Sequence, residues 1–215
     1  MNQFLSNKII AGIVALALLV GVGVLVSSGD TSSTTRNAAL VLTCATGGTC
    51  KVGDTGPGGG IVFYVAPTTN NLPTSFTSTG SDCNTTCKYL EAAPSDQSQT
   101  NWCSNNINHL GVTATGIGSG MSNTTKARTT CTSGAIYVAA EYSNNNKTDW
   151  YLPSLEELAQ LYAQKTTGVG GFAAGIYWSS SEDIAYVAWS QNFSDGGQYD
   201  SFKYYTYYVR PVRAF

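Results

Sequence analysis

One uninterrupted apolar run stands at the front of the chain: Ile9 to Val26, IIAGIVALALLVGVGVLV, eighteen residues without a charge. As a helix it spans roughly 27 Å, close to the hydrocarbon thickness of a bilayer. The following VLVSSG is a poor match to the small-residue cleavage site of a signal peptide. The pattern therefore predicts a single uncleaved transmembrane helix within residues 1–28, with Lys8 marking the cytoplasmic side. A polar linker without a periodic apolar face, which includes GDTSSTTRNAA, fills residues 29–43. Residues 44–215 read as one folded domain.

Within that domain IVFYV, 61–65, is a buried-strand run entered through the Gly- and Pro-rich turn KVGDTGPGGG. Residues 66–130 hold only short apolar islands, such as Tyr89 to Ala93, among Thr, Asn, Ser and Gly, and read as long loops. Two helices are predicted. The first is Ser133 to Tyr142, SGAIYVAAEY. The second follows Pro153, where Ser154 and Glu157 have the spacing of a capping box, and Leu155, Leu158, Leu161 and Tyr162 form one core-facing stripe. After GVGGFAAG the pattern changes to strands at Tyr177–Ser180, Val187–Phe193 and Tyr207–Arg213, rich in aromatic and β-branched residues. No βαβ repetition is present, so the expected class is α+β: two helices plus antiparallel β-sheets.

Composition sharpens this picture. Charged residues are only 11% of the chain, against roughly 25% in a typical soluble protein. Ser, Thr, Asn and Gly must therefore carry the surface, a usage common in exported proteins. A net charge of −2 supplies no basic field for nucleic acid, and no such partner is expected. Cys44, Cys50, Cys83, Cys87, Cys103 and Cys131 all follow the apolar run. An even number in an exported segment points to disulfides that pin the long loops, and proximity suggests Cys44–Cys50, Cys83–Cys87 and Cys103–Cys131. The rival is a metal site built on CNTTC and CATGGTC. Zinc sites use two-residue spacings or add histidines, and His109 is the only histidine. Neither a metal nor another cofactor is expected.

Motifs of catalysis are fragmentary. GDTGPGGG leads into a strand and lacks a following Lys-Ser/Thr, which separates it from a phosphate-binding loop. Asp54-Thr55-Gly56 matches an aspartic-protease tripeptide, but no second copy supplies the paired carboxylate. His109 has no G-x-S-x-G serine to serve. Glu156 and Glu157 are adjacent and point in different directions on their helix. No catalytic residue is assigned, and the chain is expected not to be an enzyme.

DWYLPSLEELAQLY, YWSSSE, AWSQNF and YYVRPVRAF, with KVGDTGPGGGIVFYV and KYLEAAP before them, resemble the C-terminal domain of collagen-like adhesins (Lcl_C). The resemblance covers roughly residues 50–215 and implies a C-type-lectin-like fold, an adhesive ligand-binding role outside the cell, and no shared catalytic residues. The Glu-Pro-Asn and Trp-Asn-Asp triplets of calcium-dependent sugar-binding lectins are missing. No cysteine follows Cys131, which removes the reactive thiols of sulfatase-modifying enzymes with a related fold. More narrowly, the tail from Tyr177 resembles the variable region of proteins diversified by retroelements. That likeness implies a constant scaffold of Tyr177, Trp178, Trp189, Phe193, Val209, Arg210, Pro211, Val212 and Arg213. It implies a substituted, ligand-binding set of Asp183, Ile184, Tyr186, Val187, Ser190, Ser194, Asp195, Tyr199, Asp200, Ser201, Phe202, Tyr204, Tyr205 and Tyr207.

The residues themselves suggest a similar division. Trp178 and Trp189 are large apolar groups expected in the core, and Arg210 and Arg213 are expected to make structural hydrogen bonds to carbonyls. Ser194-Asp195-Gly196-Gly197 is an exposed turn that Tyr199, Phe202, Tyr204 and Tyr205 are expected to flank, with Tyr208 in the core. The resulting expectation is a membrane-anchored cell-surface protein that binds an extracellular protein or glycan and is open to homo-oligomer formation. The alternative is a pilin-like subunit of a surface filament.

Overall fold

The structure is a computed structural model that describes residues 42–165 and 167–215. The predicted transmembrane helix and nearly all of the linker lie outside the described residues. Among the described residues no helix is long and apolar enough to cross a membrane. All of them belong to one unit, Leu40–Phe215. In chain order the elements are β1 (Ile61–Val65), β2 (Thr68–Thr69), β3 (Leu72–Pro73), β4 (Tyr89–Ala92), β5 (Gln97–Thr100), α1 (Gly120–Arg128), α2 (Ala135–Ala140), α3 (Leu155–Lys165), β6 (Ile176–Ile184), β7 (Val187–Asn192), β8 (Gln198–Phe202), β9 (Tyr207–Val209) and β10 (Val212–Ala214).

These strands make an α+β fold with a three-stranded sheet, β1-β4-β10, a small β2-β3 ribbon and a five-stranded sheet, β5-β9-β6-β7-β8. The last strand β10 pairs antiparallel with β4, and its other flank exchanges both backbone hydrogen bonds with Tyr151, at 2.9 Å each. The chain end is thereby stitched into the middle of the domain. All pairings are antiparallel except β6 with β9, which run parallel through Tyr177 and Tyr208. This departs from the antiparallel expectation because the chain leaves β8 at the sheet edge and re-enters beyond β6.

Two apolar cores result. Trp102, Ile136, Leu152, Trp178 and Val209 fill the space between α2 and the large sheet, with the Cys103–Cys131 disulfide among them. Phe63, Leu90, Tyr151, Leu158, Leu161, Tyr177, Phe193 and Val212 make the second, beneath α3. Cys44–Cys50 and Cys83–Cys87 complete the disulfides, which follow sequence proximity. The capping box of α3 is present, with the Ser154 N–H donating to Glu157 at 2.8 Å and the Glu157 N–H to Ser154 Oγ at 3.3 Å.

The third helix, α1, corrects the expectation of two helices with residues 66–130 as loop. GMSNTTKAR has poor helix formers and no apolar stripe. Its inner face is polar and satisfied by bonds to distant backbone. Asn123 donates to the Ala114 carbonyl at 2.7 Å, and the Thr124 hydroxyl accepts the Leu152 N–H at 3.1 Å. Tertiary hydrogen bonds hold this helix, and an apolar periodicity test cannot register them.

Candidate functional site

A buried ion pair fixes the C-terminal surface. Glu182 and Lys203 have fully buried side chains and are in direct contact. The Glu182 carboxylate also accepts the backbone N–H groups of Leu110 at 2.9 Å and Gly111 at 2.7 Å, and His109 Nε2 lies 3.3 Å away. Lys203 Nζ donates further to the Asn108 carbonyl at 3.0 Å and the Ala185 carbonyl at 2.6 Å. Three ammonium hydrogens thus meet three acceptors. The Trp102 ring lies below, its centroid 4.7 Å from Nζ. Burial holds the Lys203 pKa below its ordinary value against the opposing pull of Glu182. The pair joins β6, the β6–β7 turn, the 108–112 loop and the segment after β8.

On this frame sits a run of aromatic rings. Tyr186 stacks on Phe202 at 6.1 Å between centroids, and Phe202 on Tyr204 at 5.4 Å with nearly parallel planes. Tyr204 meets Tyr205 edge to face at 4.9 Å, and Tyr205 leads through Tyr207 to Trp178 in the core. Tyr186, Phe202, Tyr204 and Tyr205 are 40–58% exposed although each touches another ring. Aromatics held this open by one another form the kind of patch a soluble surface keeps for contact.

The predicted ligand set divides on this structure. Asp183, Ile184, Tyr186, Ser194, Asp195, Tyr199, Asp200, Phe202, Tyr204 and Tyr205 are exposed, and Tyr207 is half-buried. Val187, Ser190 and Ser201 are corrected, because their side chains are buried. Ser190 and Ser201 share a hydroxyl hydrogen bond of 2.9 Å across β7 and β8, and Val187 lies at 5% exposure. Another correction concerns the 194–197 turn. Of the four rings expected there, Tyr199 stands beside it, joined by Tyr162 of α3 against Gly196, whereas Phe202 pairs with Val187 at the opposite end of the β7–β8 hairpin. Trp178 is core, but Trp189 is partly exposed. Tyr208 is half-buried and stacks on Tyr177 at 5.2 Å.

The two arginines of the tail are structural, though their partners are mainly carboxylates. Arg213 contacts Asp149 and bonds Glu91 and Asp82 at 3.0 Å each. Arg210 pairs with Asp96 at 3.3 Å, donates to the Gly170 carbonyl and lies over the Phe172 ring. Glu91 explains the GDTGPGGG turn. The N–H groups of Gly58 and Gly60 converge on its carboxylate at 2.9 and 3.0 Å. A Cβ on Gly58 would come within 2.8 Å of the same carboxylate and 2.7 Å of Trp150. The turn is an anion cradle, and the anion is the protein's own side chain. None of Glu91, Glu182 and Lys203 was marked by a local motif. The only signal for Lys203 is a lone cation in the aromatic run YDSFKYY.

A third buried carboxylate, Glu157, accepts the Gly118 N–H at 2.8 Å besides its capping bond and lies 3.3 Å from the Tyr151 hydroxyl. Burial pushes its pKa up to about 7, against the backbone hydrogen bonds that pull it down.

A comparison with curated proteins finds no match. Among solved structures, a fimbrial protein from Bacteroides ovatus ATCC 8483 aligns at 15% identity and a TM-score of 0.45, covering 73% of this chain and 44% of that one. The chain therefore spans less than half of that structure's length, and a likeness at this level carries no argument. The profile of the Lcl C-terminal domain matches residues 95–213, more than half of the chain. This chain belongs to the Lcl C-terminal domain family.

Proposed function

We propose that this chain is a surface-exposed, non-enzymatic binding protein, a lectin-like adhesin carried by an N-terminal membrane anchor. Its ligand contacts the rings around Phe202. The observation that carries this reading is the ring series Tyr186, Phe202, Tyr204 and Tyr205, 40–58% exposed on a frame pinned by a buried ion pair. Rigid aromatics supply large contact area at low entropic cost. Family membership and three disulfides agree with a site outside the reducing cytosol.

The deciding experiment displays the full chain on cells and measures adherence to surfaces and to other cells. Serine at Phe202, Tyr204 and Tyr205 together should abolish adherence while the melting temperature stays close to that of the parent. Unchanged adherence removes the reading, and sedimentation of the chain as a filament would favour a pilin-like subunit instead. The diversified-tail reading has its own test, the sequencing of codons 170–215 across many cells of one population. Substitution concentrated at exposed tail positions, Asp183, Tyr199 and Tyr204 among them, supports it, and an invariant segment ends it.

A further inference from the structure

The hairpin face that carries Phe202 is acidic as well as aromatic. The β7–β8 register sets Asp200 opposite Trp189 and Phe202 opposite Val187. Alternation along a strand then places Trp189, Asp200 and Phe202 on one face, with Asp200 and Phe202 exposed and Trp189 partly so. Asp183, near the end of the neighbouring β6, is exposed too. Neither Asp183 nor Asp200 is engaged by a side-chain hydrogen bond or ion pair among the described residues. Asp195, by contrast, is occupied by the Gly197 N–H and Asn192 in its own turn. The basic side chains after Lys165 are Lys203, Arg210 and Arg213, and all three are buried. The exposed side-chain charge of residues 167–215 is therefore negative; the exposed Lys126 nearby is bonded to the Gly111 carbonyl at 2.8 Å.

We propose that this face binds a protein segment that presents arginine or lysine, the cation packing against the exposed ring series at Tyr204, its most open member, with Asp200 as its counter-charge. The proposal rests on the reading that the ring surface binds ligand, and it names the partner. A cation over an aromatic face is attracted by the ring quadrupole, and a guanidinium adds planar stacking and two parallel hydrogen bonds to a carboxylate. An anionic partner would meet repulsion from Asp183 and Asp200. A neutral sugar would leave both carboxylates without a counterpart.

The test pans a random peptide library on the immobilised full chain and, in parallel, on the F202S/Y204S double variant, whose fold is checked by melting temperature. Peptides held by the parent and lost on the variant should carry Arg or Lys well above the input frequency. Asp200→Asn should weaken the best of them by about 3- to 10-fold, and added salt should weaken them as well. Variant-sensitive peptides that are neutral or acidic, or indifferent to Asp200→Asn, overturn the cationic partner and leave the binding surface standing. If no peptide separates the two proteins but neutral glycans on an array do, a sugar replaces the protein as occupant. If neither separates them, the surface reading falls together with this one.

Discussion

Two ends of this domain use the same device for different purposes. At one end Glu91 is fully buried, cradled by the Gly58 and Gly60 N–H groups and neutralised by Arg213. At the other, Glu182 is buried just as completely, cradled by the Leu110 and Gly111 N–H groups and neutralised by Lys203. Each carboxylate ties a loop to a strand far from it in sequence. The Glu91 centre is roofed by glycines and Trp150 and reaches solvent through Asp82, a charge already paired with Arg213 and Lys147. The Glu182 centre lies beneath Phe202, Tyr204 and Tyr205. The difference teaches that the ion pair is a means of fixing backbone, and that the two centres differ in which side chains the fixed backbone presents.

The largest effect should come from leaving one of these carboxylates without its cation. Lys203→Met strands Glu182 in the interior, and loss of one partner of a buried pair costs about 3–5 kcal/mol. Denaturant unfolding of the full chain measures it. The double change Lys203→Met with Glu182→Gln should recover a good part of the loss. If the single variant unfolds at the parental midpoint, the pair is not what holds this end.

At the Glu91 end the corresponding weak point is steric. Gly58→Ala puts a Cβ 2.8 Å from the carboxylate and 2.7 Å from Trp150, an overpacking that typically costs about 1–3 kcal/mol. The Phe202 surface should be unaffected, since the two centres share no residue. A change in binding on Gly58→Ala would show that the two ends are coupled after all.

Glu157 sharpens the comparison because it is buried with backbone N–H donors but, among the described residues, without a cation. Its folded pKa of about 7 lies above the ordinary 4.5. The neutral form is therefore favoured on folding, so the group's contribution is complete below pH 4.5 and is lost as pH rises through 7. The loss is on the order of 3 kcal/mol for a shift of this size. Glu157→Gln keeps a neutral group at every pH, so its stability relative to the parent should climb between pH 4.5 and 7. A difference that stays flat across that window would mean that the donors alone keep the carboxylate ionised.

Sequence and structure agree where the determinants are local. Ser154 and Glu157 announce the start of α3 three residues apart, aromatic and β-branched runs mark β6, β7 and β9, and the glycines of 56–60 mark a turn. They part where the determinant is a long-range polar contact. Helix α1 depends on Asn123 and Thr124 reaching the backbone of other segments. The two ion pairs join residues 21 and 122 positions apart, beyond the reach of any spacing rule. Val187, Ser190 and Ser201 looked like their exposed neighbours, because alternation alone does not say which parts of a hairpin have a neighbour on both faces.

The smallest predicted effect on stability is the one that bears most on the proposed binding surface. Tyr204 is 58% exposed, and its ring contacts are with Phe202 and Tyr205, which are themselves exposed. Tyr204→Ser should therefore change unfolding free energy by no more than about 0.5 kcal/mol, the usual range for surface positions. Ring–ring contacts in a half-open patch contribute little to folding, because each ring remains hydrated on its outer side in either state. The same hydration is what a partner would displace, so the loss should appear in adherence of the displayed chain. A variant that is destabilised as severely as Lys203→Met, or that adheres like the parent, would move Tyr204 from the proposed binding surface to the structural frame and erase the distinction between the two ends.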